Sequence, residues 1–204
     1  WPAAAQLGGT YTVALGTEMR SAAGDAVDTN LNAGVDRLFG RAPAGSVLVD
    51  TIFNHPGLAE TIPAGGSLVS SLTVTDVFTL QKVTLALDIT YPQTPDLVAT
   101  LTFIPADPTV GQIGPFPLFT NVGTIGQVGN RANFTNTVFD DAAATPISNA
   151  APPFFGRFIP QTPLSQLLHD PNLPIGANNV SAAGTYILTI TNTGTSTGTL
   201  NRWS

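Results

Sequence analysis

The chain has 204 residues, 43% of them hydrophobic and only 10% charged, with a formal net charge of −6; that is enough apolar material for one domain with a real core. Seven scattered cations make no basic stripe, which argues against a nucleic-acid or anionic-membrane partner. The absence of cysteine removes disulfides, thiolate metal sites and thiol nucleophiles together, and no apolar run approaches the ~18 residues that span a bilayer.

Taken in chain order, the opening Trp1-Pro-Ala-Ala-Ala-Gln6 lacks the basic and apolar segments of a signal peptide. The chain is therefore expected to be a piece of a longer exported protein. Gly9-Thr-Tyr-Thr-Val-Ala-Leu-Gly16 reads as a strand with Tyr11, Val13 and Leu15 on one face. A polar loop follows, and Arg41-Ala-Pro-Ala-Gly45 marks a composition shift, which divides the chain into 1–45 and 46–204. Beyond it, 67–74, 82–89, 96–104 and 185–190 alternate apolar and polar residues, as Leu85, Leu87 and Ile89 or Tyr186, Leu188 and Ile190 illustrate. Twenty Gly and seventeen Pro leave little room for helices. The one helical candidate, Pro163-Leu-Ser-Gln-Leu-Leu-His169, is short and is ended by Pro171. The pattern predicts an all-β chain, an antiparallel β-sandwich with an N-terminal strand-and-loop segment.

Two groups of residues could hold a cation. Asp28-Thr-Asn30-Leu-Asn32-Ala-Gly34-Val-Asp36 places oxygen-bearing side chains at alternate positions, the supply that Ca2+ requires. It differs from an EF-hand loop in the place of its glycine and in lacking a closing Glu; the alternative is an Asx-rich solvated turn. Asp140-Asp141, with Asp96 upstream, is the second group, because adjacent carboxylates on a low-charge β protein call for a neutralising cation; the alternative is a turn cap beside a solvated carboxylate. No catalytic set stands out. There is no Gly-x-Ser-x-Gly elbow, and His55 and His169 are expected on the surface. Trp203 is expected to lock the last strand, and Phe116, Phe119, Phe154, Phe155 and Phe158 to form lids in Pro-rich loops.

Asn133-Phe-Thr-Asn-Thr-Val-Phe-Asp-Asp-Ala142, Phe154-Phe-Gly-Arg-Phe-Ile-Pro160, Gly184-Thr-Tyr-Ile-Leu-Thr-Ile190 and Gly198-Thr-Leu-Asn-Arg-Trp-Ser204 resemble, in that order, the P domain (homo B domain) of subtilisin-like proprotein convertases, over about residues 51–204. Residues 8–40 resemble the end of a bacterial Ig-like repeat. The first resemblance implies jelly-roll topology and a calcium site near Asp96, Asp140 and Asp141. It departs where the family's acidic residue reads Ala132 and where the Glu after the aspartate pair reads Ala142. It also implies a non-catalytic, calcium-stabilised module at the cell surface or in the extracellular space, with a structural, assembly or interaction role. The alternatives are an accessory stabilising domain of a secreted subtilisin-like serine endopeptidase and, more weakly, a carbohydrate-binding module. Partners would be other domains of the parent protein or neighbouring subunits. The strand at Thr10 to Leu15 would either fold back on the sandwich or assemble an oligomer or fibre by strand addition.

Overall fold

The structure is a computed structural model that describes residues 51–57, 59–124, 132–173 and 180–204. The N-terminal strand-and-loop segment, its calcium candidates and the proposed boundary at residue 45 lie outside them. The described residues from Phe53 to Ser204 belong to one unit, and it is all-β.

Among the described residues nine strands run in the order β1 (Glu60–Ile62), β2 (Ser67–Val74), β3 (Leu85–Thr90), β4 (Leu97–Pro105), β5 (Ile113–Thr120), β6 (Phe134–Phe139), β7 (Phe154–Phe158), β8 (Gly184–Asn192) and β9 (Gly198–Trp203). They form a five-stranded sheet, β1-β9-β3-β6-β7, and a four-stranded sheet, β2-β8-β4-β5. The alternation read from the sequence is the alternation that folds: β8 buries Tyr186, Leu188 and Ile190, and β4 buries Leu97, Ala99, Leu101 and Phe103. These side chains join Leu85, Leu87 and Ile89 of β3 in one continuous core, where apolar area leaves water at ~25 cal/mol per Å².

Three expectations need correction. The sheets are not wholly antiparallel, because β7 runs parallel to β6. The phenylalanines are not loop lids. Phe116 and Phe119 belong to β5, and Phe154, Phe155 and Phe158 to β7. Phe119, Phe134 and Phe154 stack in series at centroid distances of 4.5 and 4.7 Å within the core, and of the five only Phe155 stands largely exposed. Pro115 and Pro117 disguised β5, yet it closes the four-stranded sheet, and an edge strand tolerates residues without an N–H. His55 is not a surface residue: its ring stacks on Trp203, centroids 5.8 Å apart, and its side chain is only 11% exposed.

The helical candidate forms a single 3-10 turn, Leu164–Leu168, which buries Leu164, Leu167 and Leu168. Among the described residues no helix is long and apolar enough to cross a membrane.

Candidate functional site

Asp140 and Asp141 follow the end of β6 and point to different partners. Asp140 is 5% exposed. Its Oδ1 lies 2.9 Å from Lys82 Nζ and accepts the Ala142 N–H at 3.0 Å, and its Oδ2 accepts Arg157 NH1 at 2.7 Å. Burial alone would raise its carboxyl, but the Ala142 N–H, Lys82 and Arg157 together outweigh burial and hold it below the ordinary carboxylate range. Asp141 accepts the N–H groups of Leu164 and Ser165, each at 2.8 Å. It thereby caps the start of the 3-10 turn, where backbone donors have no partner within the turn.

Asp96 is engaged elsewhere. Its carboxylate lies 3.3 Å from the phenol oxygen of Tyr91. Burial first, and then the Asp96 charge, push the Tyr91 phenol up. Among the described residues no three His, Asp or Glu side chains gather in a group that could hold a metal ion. Calcium therefore does not fit Asp96, Asp140 and Asp141 as placed: to reach both oxygens of Asp140 it would have to displace a lysine, an arginine and a backbone N–H. Asp28, Asn30, Asn32 and Asp36 lie outside the described residues.

A second polar cluster went unread in the sequence. Ser70, on β2 of the four-stranded sheet, faces Glu60 on β1 and Trp203 on β9 of the other sheet, with His55 between them. Trp203 Nε1 donates to Ser70 Oγ at 2.9 Å, His55 Nε2 lies 3.3 Å from the same oxygen, and Ser70 donates to Glu60 Oε2. His55 Nδ1 accepts the Gly57 N–H at 3.1 Å and lies 3.9 Å from Glu60. Serine, histidine and carboxylate are thus together, in the residue types of a catalytic triad, but the polarity is reversed. Because Nδ1 is an acceptor, the neutral ring carries its proton on Nε2. That nitrogen presents an N–H to Ser70 rather than a lone pair that could take the serine proton. Ser70 is also only 2% exposed. The cluster ties one sheet to the other, with each buried side-chain nitrogen and oxygen partnered.

A similar tie lies at Asn192, which is 1% exposed. Its Oδ1 accepts the Tyr91 hydroxyl at 2.7 Å and the Gly194 N–H at 2.9 Å, while its Nδ2 donates to Pro63 O and Ser196 O. His169, the other histidine, is half-buried at the end of the 3-10 turn. No buried side-chain nitrogen or oxygen among the described residues lacks a partner.

Comparison of the chain with protein-family models, with curated proteins and with solved structures finds no match in any of the three.

Proposed function

We propose that the chain is a non-catalytic β-sandwich module of an exported bacterial protein, with jelly-roll topology and a structural, assembly or interaction role. The strand order supports the topology. Running the sheets as β1-β9-β3-β6 and β2-β8-β4-β5 sets β1 with β2, β9 with β8, β3 with β4 and β6 with β5 on opposing sheets, the pairing of a double-sheet jelly roll. β7 is then an added edge strand. The non-catalytic reading is supported by one arrangement: Ser70 is buried, and His55 Nδ1 already accepts the Gly57 N–H, which in the neutral ring leaves Nε2 to face the serine as a donor. Calcium remains part of the proposal only through Asp28, Asn30, Asn32 and Asp36.

The test is hydrolysis of casein and of an activated ester by the pure chain, beside Ser70→Ala. Equal background rates are expected from both. Turnover by the native chain that Ser70→Ala abolishes would make the cluster a working triad and overturn the proposal.

A further inference from the structure

The strands β2, β8 and β4 pair without a register shift along their whole length, unlike the β3–β6, β3–β9 and β6–β7 pairs of the other sheet. Their outward side chains form four rows of three: Ser67–Thr191–Val98, Val69–Thr189–Thr100, Ser71–Ile187–Thr102 and Thr73–Thr185–Ile104. Eight of the twelve are Ser or Thr, the rest are Val or Ile, and none is charged. All are half-buried or exposed. The outer positions of the opposite sheet, by contrast, carry Asp88, Arg157 and Arg202. Ser67 and Thr191 hydroxyls lie 3.0 Å apart and those of Thr73 and Thr185 3.5 Å, so hydroxyls are held in pairs across neighbouring strands.

We propose that this face binds ice. β-Branched side chains are stiff at χ1, so the threonines hold their methyls and hydroxyls in a fixed array. The backbone grid that carries them repeats at ~4.8 Å across strands and ~6.8 Å along them, close to the oxygen repeats on a prism face of ice, while the Ser67–Thr191 and Thr73–Thr185 hydroxyls draw together within their rows. Rigid methyls and hydroxyls in register can hold water in that lattice, and the lack of charge leaves no ion whose hydration shell would break it.

Other occupants fit less well. Eight residues at ~3.4 Å by three strands at ~4.8 Å give about 400 Å², half of the ~800 Å² per partner that a stable interface between copies buries. A sugar surface would call for aromatic platforms, and the grid contains none. Sheet twist confines the lattice match to the middle rows, so the effect should be of modest size and clearest as inhibition of ice recrystallisation.

The experiment uses the full chain in dilute buffer, read by ice-crystal shaping, thermal hysteresis and recrystallisation, with serum albumin as the inert control. The native chain should shape crystals and restrain their growth. Thr189→Lys, at the centre of the grid, should weaken the effect by about tenfold at unchanged melting temperature, while Thr61→Lys on the other sheet should leave it intact. Ser71→Lys supplies a second variant should Thr189→Lys fail to fold. Native protein no better than albumin overturns the proposal, whatever the variants do, and so does full activity in both folded grid variants. Dimerisation that Thr189→Lys abolishes would assign the face to a second copy. Binding to crystalline cellulose or chitin that it abolishes would assign the face to a neutral polysaccharide. Either result, without ice activity, replaces the proposal.

Discussion

Ser70 should behave as the shared acceptor of a buried tie between sheets, and a double-mutant cycle with Trp203 measures that role. Ser70→Ala removes the oxygen that accepts Trp203 Nε1–H at 2.9 Å. The indole is 3% exposed, so its N–H is left without water or partner, at a cost of about 1–3 kcal/mol. Glu60 and His55 are nearer solvent, with side chains 28% and 11% exposed, and recover part of their lost bonds from water. Trp203→Phe removes the donor and leaves a cavity where the second ring stood, at about 1–3 kcal/mol. In the double variant no indole N–H remains to be orphaned. The double variant should therefore lose less than the two single losses added together, with a coupling of about 1–2 kcal/mol. Denaturant unfolding of the four proteins at neutral pH gives the numbers, and each kcal/mol should shift the melting midpoint by roughly 2–4 °C for a chain of this size. Additivity within ~0.5 kcal/mol would refute the reasoning, because it would mean that the indole N–H gains nothing from Ser70.

Asp140 should confer acid sensitivity. Its folded carboxyl sits below the ordinary range, so its contribution is complete above the unfolded value of ~4 and fades as pH falls through the lower folded value. The stability gap between native protein and Asp140→Asn should narrow from pH 7 to pH 3 in denaturant titrations; a constant gap would contradict this. Gly184→Ala should cost about 1–3 kcal/mol, because its φ is +154° and the new methyl would meet the Ile104 carbonyl oxygen and, at 2.6 Å, the Phe103 ring. Gly65→Ala, with φ +61° and nothing within 4 Å, should cost only the left-handed penalty of ~1–2 kcal/mol; thermal melts compare the two. Calcium at a hundredfold excess over its Kd should add ~2.7 kcal/mol to native protein and to Asp140→Asn alike, and Asp28→Ala with Asn30→Ala should abolish the gain. Identical melts of native protein in calcium and EDTA would remove calcium from the proposal.

The strands with uninterrupted alternation were legible. β2, most of β4 and β8 and the end of β3 fall where period-two apolar residues place them, because each buries one face against the same core. β5 was hidden by its prolines, and β7 by Pro152 and Pro153 before it, since local chemistry cannot tell an edge strand from a loop. The parallel β6–β7 pairing was hidden too, because pairing partners are set by tertiary contacts. The polar ties left a usable trace. Ser70 occupies the inward position that Leu72 and Val74 continue, and Asn192 the one that follows Tyr186, Leu188 and Ile190. A polar residue at the inward phase of a strand must find partners in the core. That signal marks a tie without revealing whom it joins, because Trp203 lies 133 residues from Ser70 and only the pairing of β1 with β9 brings it to the same place as Glu60.

The aspartate pair carries the same lesson in charge. Adjacent carboxylates call for neutralising cations, and here the cations are the protein's own. Lys82, ahead of β3, and Arg157, on β7, converge on Asp140 at 2.9 and 2.7 Å. The parallel register of β6 and β7, which sets Val138 opposite Arg157, brings the guanidinium to that end of the sheet. Asp141 turns instead to the backbone of Leu164 and Ser165. Two negative charges thus meet two positive ones and three N–H dipoles, and a dication added to a cluster already neutral would leave it positive. The joints a calcium ion could have crosslinked, β6 to β7 and β6 to the 3-10 turn, are closed by ion pairs and a cap.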